Sequence, residues 1–155
     1  MALKIKGKKH WLWRAVDQHG LVLDILVQER RNQHAAERFL RRVLDGEARA
    51  PRVVVTDKLA SYPPALKQVL PGVEHRRHKG LNNRAENSHR PVRKRERTLQ
   101  RFKPPAHAQQ FLEPFSAVQN HFRPRRHLLP AEHYRQLRRT RFQQWRDAAQ
   151  LEAAA

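Results

Sequence analysis

Apolar and polar positions alternate from His10 to Asp17, with Trp11, Trp13 and Ala15 on one side and Leu12, Arg14 and Val16 on the other. That alternation predicts a strand. Asp17-Gln18-His19-Gly20 reads as a turn whose glycine suits a positive φ. A second run, Leu21 to Glu29, puts Leu21, Leu23, Ile25 and Val27 on one face, so the two runs make a hairpin. Lys4 to Lys6 reads as the end of an earlier strand. From Gln33 to Glu47 the spacing becomes helical, with Ala36, Phe39, Leu40, Val43 and Leu44 on one stripe. Val53-Val54-Val55 is apolar without alternation, as in a strand buried on both faces. Pro63 and Pro64 sit where a helix tolerates proline, at the start of a short helix ending near Val69. Val73 to His78 reads as a further short strand. Beyond it the pattern is helical over Asn82 to Arg101, Ala106 to Phe122, and Pro130 to the end. Pro91 and Pro114 are expected to kink the first two of these helices. The order predicts a mixed α/β plan, with helices packed on a central sheet.

Charge narrows the function. The 155 residues carry 33 Lys+Arg against 14 Asp+Glu, a formal net charge of +19. Such an excess repels itself and calls for a polyanion, with nucleic acid the expected partner and an anionic membrane surface the second choice. No lipidation signal, no basic helix with a wide apolar face and no long apolar run supports the membrane, so a cytoplasmic location is expected. The absence of cysteine excludes disulfides and thiolate metal sites. Five dispersed glycines form no phosphate-cradling loop.

Two carboxylates stand out against this basic background. Asp57 follows Thr56 at the carboxyl end of the apolar strand, the edge of an α/β sheet where ligands gather. A carboxylate there suits Mg²⁺, which prefers hard oxygen donors; equally, an Asp at that position can simply cap a turn. Glu86 stands three residues after Asn83, the spacing of a capping box. It also lies in a stretch, Arg76 to Lys103, with eleven Lys/Arg and only Glu86 and Glu96 as acids. Arg90 and Arg93 follow Glu86 by four and seven positions, which puts all three on one helical face over roughly 10 Å. The histidines show no ligand spacing: His75 and His78 would point to opposite faces of a strand. His10, His34, His107, His121, His127 and His133 are scattered, which fits solvated or phosphate-contacting roles. Trp11 and Trp13 have the residue type for base stacking, but beside an apolar hairpin they are expected in the core.

The strings WLWRAVDQHGLVLDILVQERRN (Trp11 to Asn32), PRVVVTDKLASYPPA (Pro51 to Ala65) and EHRRHKGLNNRAENSHRPVRKRERTLQRFK (Glu74 to Lys103) closely resemble transposases of the insertion sequence six family. The resemblance implies an RNase H-like fold with a five-stranded mixed sheet flanked by helices, its first strand truncated here. It implies a catalytic domain over residues 1–129 followed by a basic helical tail over 130–155. Such enzymes use an Asp, Asp, Glu trio to hold two Mg²⁺ ions (Mn²⁺ as the alternative), ~4 Å apart, for attack on a phosphodiester. By motif, the second Asp is Asp57, the Glu is Glu86, and the basic residue seven positions on is Arg93. Lys58, Arg90, Arg93 and Lys94 are the implied DNA contacts. The implied partners are transposon-end and target DNA, and further copies of the chain in the active complex. The first Asp of the trio would fall just upstream of Met1; Asp17 belongs to the hairpin turn and Asp24 to mid-strand. This chain is therefore expected to lack strand-transfer activity by itself, and a catalytically inactive DNA-binding remnant that modulates transposition is the alternative reading.

Overall fold

Two tight turns with left-handed backbone build the first sheet. In the computed structural model, which describes residues 1–78, 80–99 and 102–149, β1 (Ala2–Ile5) turns into β2 (Lys8–Val16) through Lys6 and Gly7, with φ of 47° and 78°. Positive φ at both central residues is the turn whose twist matches that of paired strands. Asp17 to Gly20 then joins β2 to β3 (Val22–Gln28): the Asp17 side chain accepts from the His19 and Leu21 N–H groups, and Gly20 sits at φ 85°. The three strands form one antiparallel sheet in chain order, with Leu3 opposite His10, Leu12 opposite Val27 and Trp13 opposite Leu26.

Register decides which face each side chain takes. Trp13, with Trp11, Ala15 and Leu26 beside it, packs against Ala35, Ala36, Phe39 and Leu40 of α1 (Gln33–Asp45) and against Ala65 and Leu66 of α2 (Tyr62–Val69). Asn32 caps α1 by accepting from the Ala35 N–H at 3.0 Å, one of the helix-end donors that otherwise lack a partner. The opposite face of the sheet carries Leu3, Ile5, Leu12 and Ile25, each no more than 2% exposed. There α3 (Asn83–Thr98) packs on β2, and Val92 is fully buried. Helix α4 (Pro105–Phe122) buries Ala108 and Leu112. Both α3 and α4 continue through their internal prolines, Pro91 and Pro114.

One side chain serves part of the outer edge of β3. Gln109 of α4 donates from Nε2 to the Ile25 carbonyl at 3.0 Å and accepts at Oε1 from the Val27 N–H at 2.7 Å. Its amide thus fills the place of a neighbouring strand on β3, whose outer groups would otherwise present a pairing edge. Gln109 Nε2 also reaches Glu113, which receives Arg42 of α1; Arg42 in turn bonds Asp24 of β3.

The mixed α/β plan with helices packed on a sheet, which the pattern predicts, is present. The single five-stranded sheet is not seen: β4 (Val53–Thr56) pairs in parallel with β5 (Glu74–Arg77) as a separate two-stranded sheet. Among the described residues no ladder joins β1 to β4; each is only four residues long, so few hydrogen bonds could form between them. Nor is β4 buried on both faces, since Val55 is 38% exposed. The unbroken apolar run reflects packing of Val54 into the α1–α2 core rather than enclosure of the whole strand.

The chain divides into two compact units, Met1–Glu113 and Pro114–Ala155. In the second, the end of α4 and α5 (Ala131–Ala148) are tied by Phe122, whose ring lies 4.8 Å from Phe142 and 5.5 Å from Trp145. Arg141 donates to the Asn120 and His121 carbonyls at 3.2 and 2.6 Å, placing a cation on the carbonyl end of α4. His121 returns a contact from Nε2 to the Arg141 carbonyl at 2.9 Å. His121 is half-buried, and His10, at 7% exposure, is buried. These two histidines are structural, contrary to the solvated role that scattered spacing suggests, because strand register and helix packing enclose them.

Candidate active site

Strand β4 delivers Asp57 to its carboxyl end, and the residues around it fix that end. Thr56, 6% exposed, donates its hydroxyl proton to the Asp57 carbonyl at 2.8 Å. With that proton committed, Thr56 Oγ1 accepts from His75 Nε2 of β5, also at 2.8 Å, which selects the Nε2–H tautomer. Burial, with the Arg77 charge adding to it, pushes the His75 pKa below its ordinary value, so the ring is neutral at pH 7. Arg77 itself donates to the Lys58 carbonyl at 3.1 Å. The short parallel pair thus clamps the loop that carries Asp57 and Lys58, while the Lys58 side chain stays exposed.

The Asp57 carboxylate does two things at once. Oδ1 accepts from the Leu59 N–H at 3.0 Å, the local turn that sequence reading allows. Oδ2 accepts from Arg31 Nη2 at 2.7 Å. The carboxylate remains 38% exposed and Arg31 35%, so the pair is open to solvent. Arg31 also lies over the Trp11 ring at 4.8 Å, with Lys9 4.4 Å from the same ring centre. Trp11 is accordingly a rim residue facing cations, while Trp13 is core.

Helix α3 brings its own groups to the same neighbourhood. The Met1 amino group, which donates to the Leu12 carbonyl at 3.0 Å, has its pKa lowered to about 6. Burial is the main cause; the charges of Arg31 and Arg93 act in the same direction and Asp57 opposes them. His89, one turn before Arg93, is held down to about 3, by burial first and then by the Met1 amine, Arg14 and Arg93. Arg14, on the helix-covered face of β2, is itself lowered to about 10 by burial.

Glu86 lies further up α3, exposed, and makes no hydrogen bond or ion pair among the described residues. The capping box does not form. Residues Gly80–Asn82 make a 3-10 turn that runs straight into α3, and the cap residue is Asn82, without a side-chain cap bond. Glu86 falls one position too late to reach back to it. Arg90, Arg93 and Lys94 are exposed on the same helix. No contact joins Glu86 to Asp57, and no three His, Asp or Glu side chains gather into a metal cage among the described residues. Asp17 and Asp24 stay outside the site, one in its turn and the other on Arg42.

Sequence reasoning singles out Asp57, Glu86 and the basic helix as candidates, but does not anticipate the Arg31–Asp57 pair or the Thr56–His75 bond. No local spacing signals a pair 26 residues apart such as Arg31 and Asp57.

The donor chemistry fits a hard divalent cation. Asp57 has one oxygen held only by a solvent-exposed guanidinium, and Glu86 offers a carboxylate with no protein partner.

Comparison with known proteins identifies the family. A family model described as a DDE domain matches residues 1–125. The chain is 34% identical over 103 residues to the transposase for insertion sequence-like element IS431mec and to that for IS257 in transposon Tn4003, both of Staphylococcus aureus. In each case the match covers 63% of this chain and 46% of the relative, so the chain spans about half the length of the transposases it matches. An uncharacterized protein of Yersinia pseudotuberculosis, pYV0051, is 34% identical over 70 residues, 44% of this chain and 65% of its own. No solved structure matches significantly.

Proposed function

We propose a function from one premise: the chain belongs to the DDE-domain transposases of the insertion sequence six family. It supplies part of the catalytic domain of an enzyme that cuts DNA strands and joins a transposon end to its target. Asp57 and Glu86 are metal-binding carboxylates, and Mg²⁺ is the ion they hold. The observation that carries the reading is the solvent-open Asp57 carboxylate at the end of β4, in a loop clamped through Thr56 and His75 and paired only with the exposed Arg31 side chain.

Each residue then has a definable task. The Thr56–His75 bond and the Arg77 bond to the Lys58 carbonyl keep the Asp57 loop rigid, so that only the Arg31 side chain has to move when its carboxylate meets a cation. Arg90, Arg93, Lys94 and Lys58 grip phosphate oxygens of the DNA backbone and hold the scissile strand against the two carboxylates. The divalent ion, when bound, supplies charge neutralisation at the phosphate and a more nucleophilic oxygen. Arg31 balances the Asp57 charge in the ion-free protein.

Duplex-DNA binding measured at constant ionic strength, with and without Mg²⁺, tests the proposal. Mg²⁺ should tighten binding by the wild-type chain relative to Asp57→Asn and Glu86→Gln, which should respond only to ionic strength. Identical Mg²⁺ responses in all three proteins would refute it.

A further inference from the structure

Helix α5 lies outside the residues that the DDE-domain model matches, and none of the carboxylate chemistry uses it. Between Pro114 and Ala149 the chain has eight arginines, no lysine and two acids, Glu132 and Asp147. One of the eight, Arg141, is spent on the carbonyl end of α4. On α5 the half-buried positions are Tyr134, Leu137 and Arg141, which set the inner face. At helical spacing Arg135, Arg139, Phe142 and Arg146 then fall together on the outer face, and all four are exposed. Among the described residues the side chains of the three arginines make no hydrogen bond or ion pair. Arg138, on the flank of this stripe, is held over the Tyr134 and Phe142 rings at 5.9 and 5.7 Å. Phe142 is 43% exposed in the middle of the row.

We propose that the outer face of α5 is a second nucleic-acid site, a sequence-independent grip on the phosphate backbone that works separately from the carboxylate site. Arg135 to Arg146 spans roughly 16 Å at 1.5 Å per residue, about five steps of one DNA strand. The exclusive use of arginine fits phosphate, because the planar guanidinium makes two parallel bonds to it and is less strongly hydrated than an ammonium. The stacked Arg138 is already held over two rings and loses little freedom on binding. A membrane surface is the poorer partner: surface binding needs a wide apolar face, and of the apolar side chains on α5, Phe142 and Trp145 already pack on Phe122.

The test uses the full chain, a random-sequence duplex and a salt titration. Arg135→Gln/Arg139→Gln/Arg146→Gln should weaken binding about tenfold or more near 0.1 M salt and lower the slope of log K against log salt by about 2.7, roughly 0.9 per lost phosphate contact. The corresponding triple lysine variant should keep the slope. An unchanged slope in the glutamine variant, with its helix content intact by circular dichroism, overturns the proposal. So does loss of binding to anionic lipid vesicles with DNA binding unaltered. Should the glutamine variant not fold, arginine modification by phenylglyoxal in the wild-type chain still decides. Arg135, Arg139 and Arg146 should be protected by duplex DNA, and continued reactivity of all three contradicts the site.

Discussion

Arg31 Nη2 lies 2.7 Å from Asp57 Oδ2 while its guanidinium covers the Trp11 ring. One positive charge therefore occupies the oxygen that a divalent cation would need. An exposed pair of this kind contributes about 1 kcal/mol or less. Arg31→Ala should leave the unfolding free energy within about 1 kcal/mol of wild type and tighten Mn²⁺ binding about two- to fivefold, read by calorimetric titration. Weaker Mn²⁺ binding in that variant would mean that Arg31 positions the carboxylate rather than competing for it.

Gln109 serves the edge of β3 with both ends of its amide. Gln109→Ala leaves the Val27 N–H and the Ile25 carbonyl without that partner, and should lower stability by about 1–3 kcal/mol in urea unfolding. Gln109→Glu should also destabilise, because a carboxylate still accepts from Val27 but donates nothing to Ile25. An open β3 edge should also raise aggregation on storage of the alanine variant, measured by light scattering. Unchanged urea midpoints would show that solvent serves the edge as well as the side chain does.

His89 is neutral in the folded chain down to about pH 3, whereas an unfolded histidine titrates near 6.5. Between those values the unfolded state binds the extra proton, so stability rises with pH across the window. The His89 contribution is complete above about pH 6.5 and is lost as pH falls towards 3. From pH 6.5 to 5 the loss should be about 2 kcal/mol, from the ~1.4 kcal/mol per pH unit of a single proton. His89→Gln should flatten that segment of the stability–pH curve in chemical denaturation. An unaltered slope would place the acid sensitivity elsewhere.

Trp13 joins the sheet to α1 and α2, with Phe39 at 5.9 Å and Tyr62 edge-on at 5.6 Å. Trp13→Ala should cost about 3–5 kcal/mol, the range for deleting a large buried aromatic. A loss under about 1 kcal/mol in thermal or urea unfolding would contradict the placement of the core.

Much of the fold was legible because it is written in local periodicity. The β2–β3 hairpin shows in the alternation from Trp11 to Val27, α1 in its apolar stripe, and the turn in Asp17 and Gly20. The β1–β2 turn was not, since Lys6 supplies a left-handed conformation that residue type alone does not announce. Sheet pairing was not legible either: strand order depends on contacts distant in sequence, and two four-residue strands carry too little pattern to say whether they share a ladder. Asp57 stands out in the sequence because it ends an apolar strand. Arg31, Gln109 and the Thr56–His75 bond could not, because each acts across the fold on a group that nothing nearby in the chain identifies.

The central claim is that Asp57 and Glu86 hold the same ion. Mn²⁺ added in substoichiometric steps to the isotope-labelled chain tests it most directly, through the broadening of backbone amide signals. The amides around Asp57 and those around Glu86 should broaden together, and either Asp57→Asn or Glu86→Gln should abolish both effects. Broadening at one segment alone, or at both with each variant silencing only its own, would contradict it.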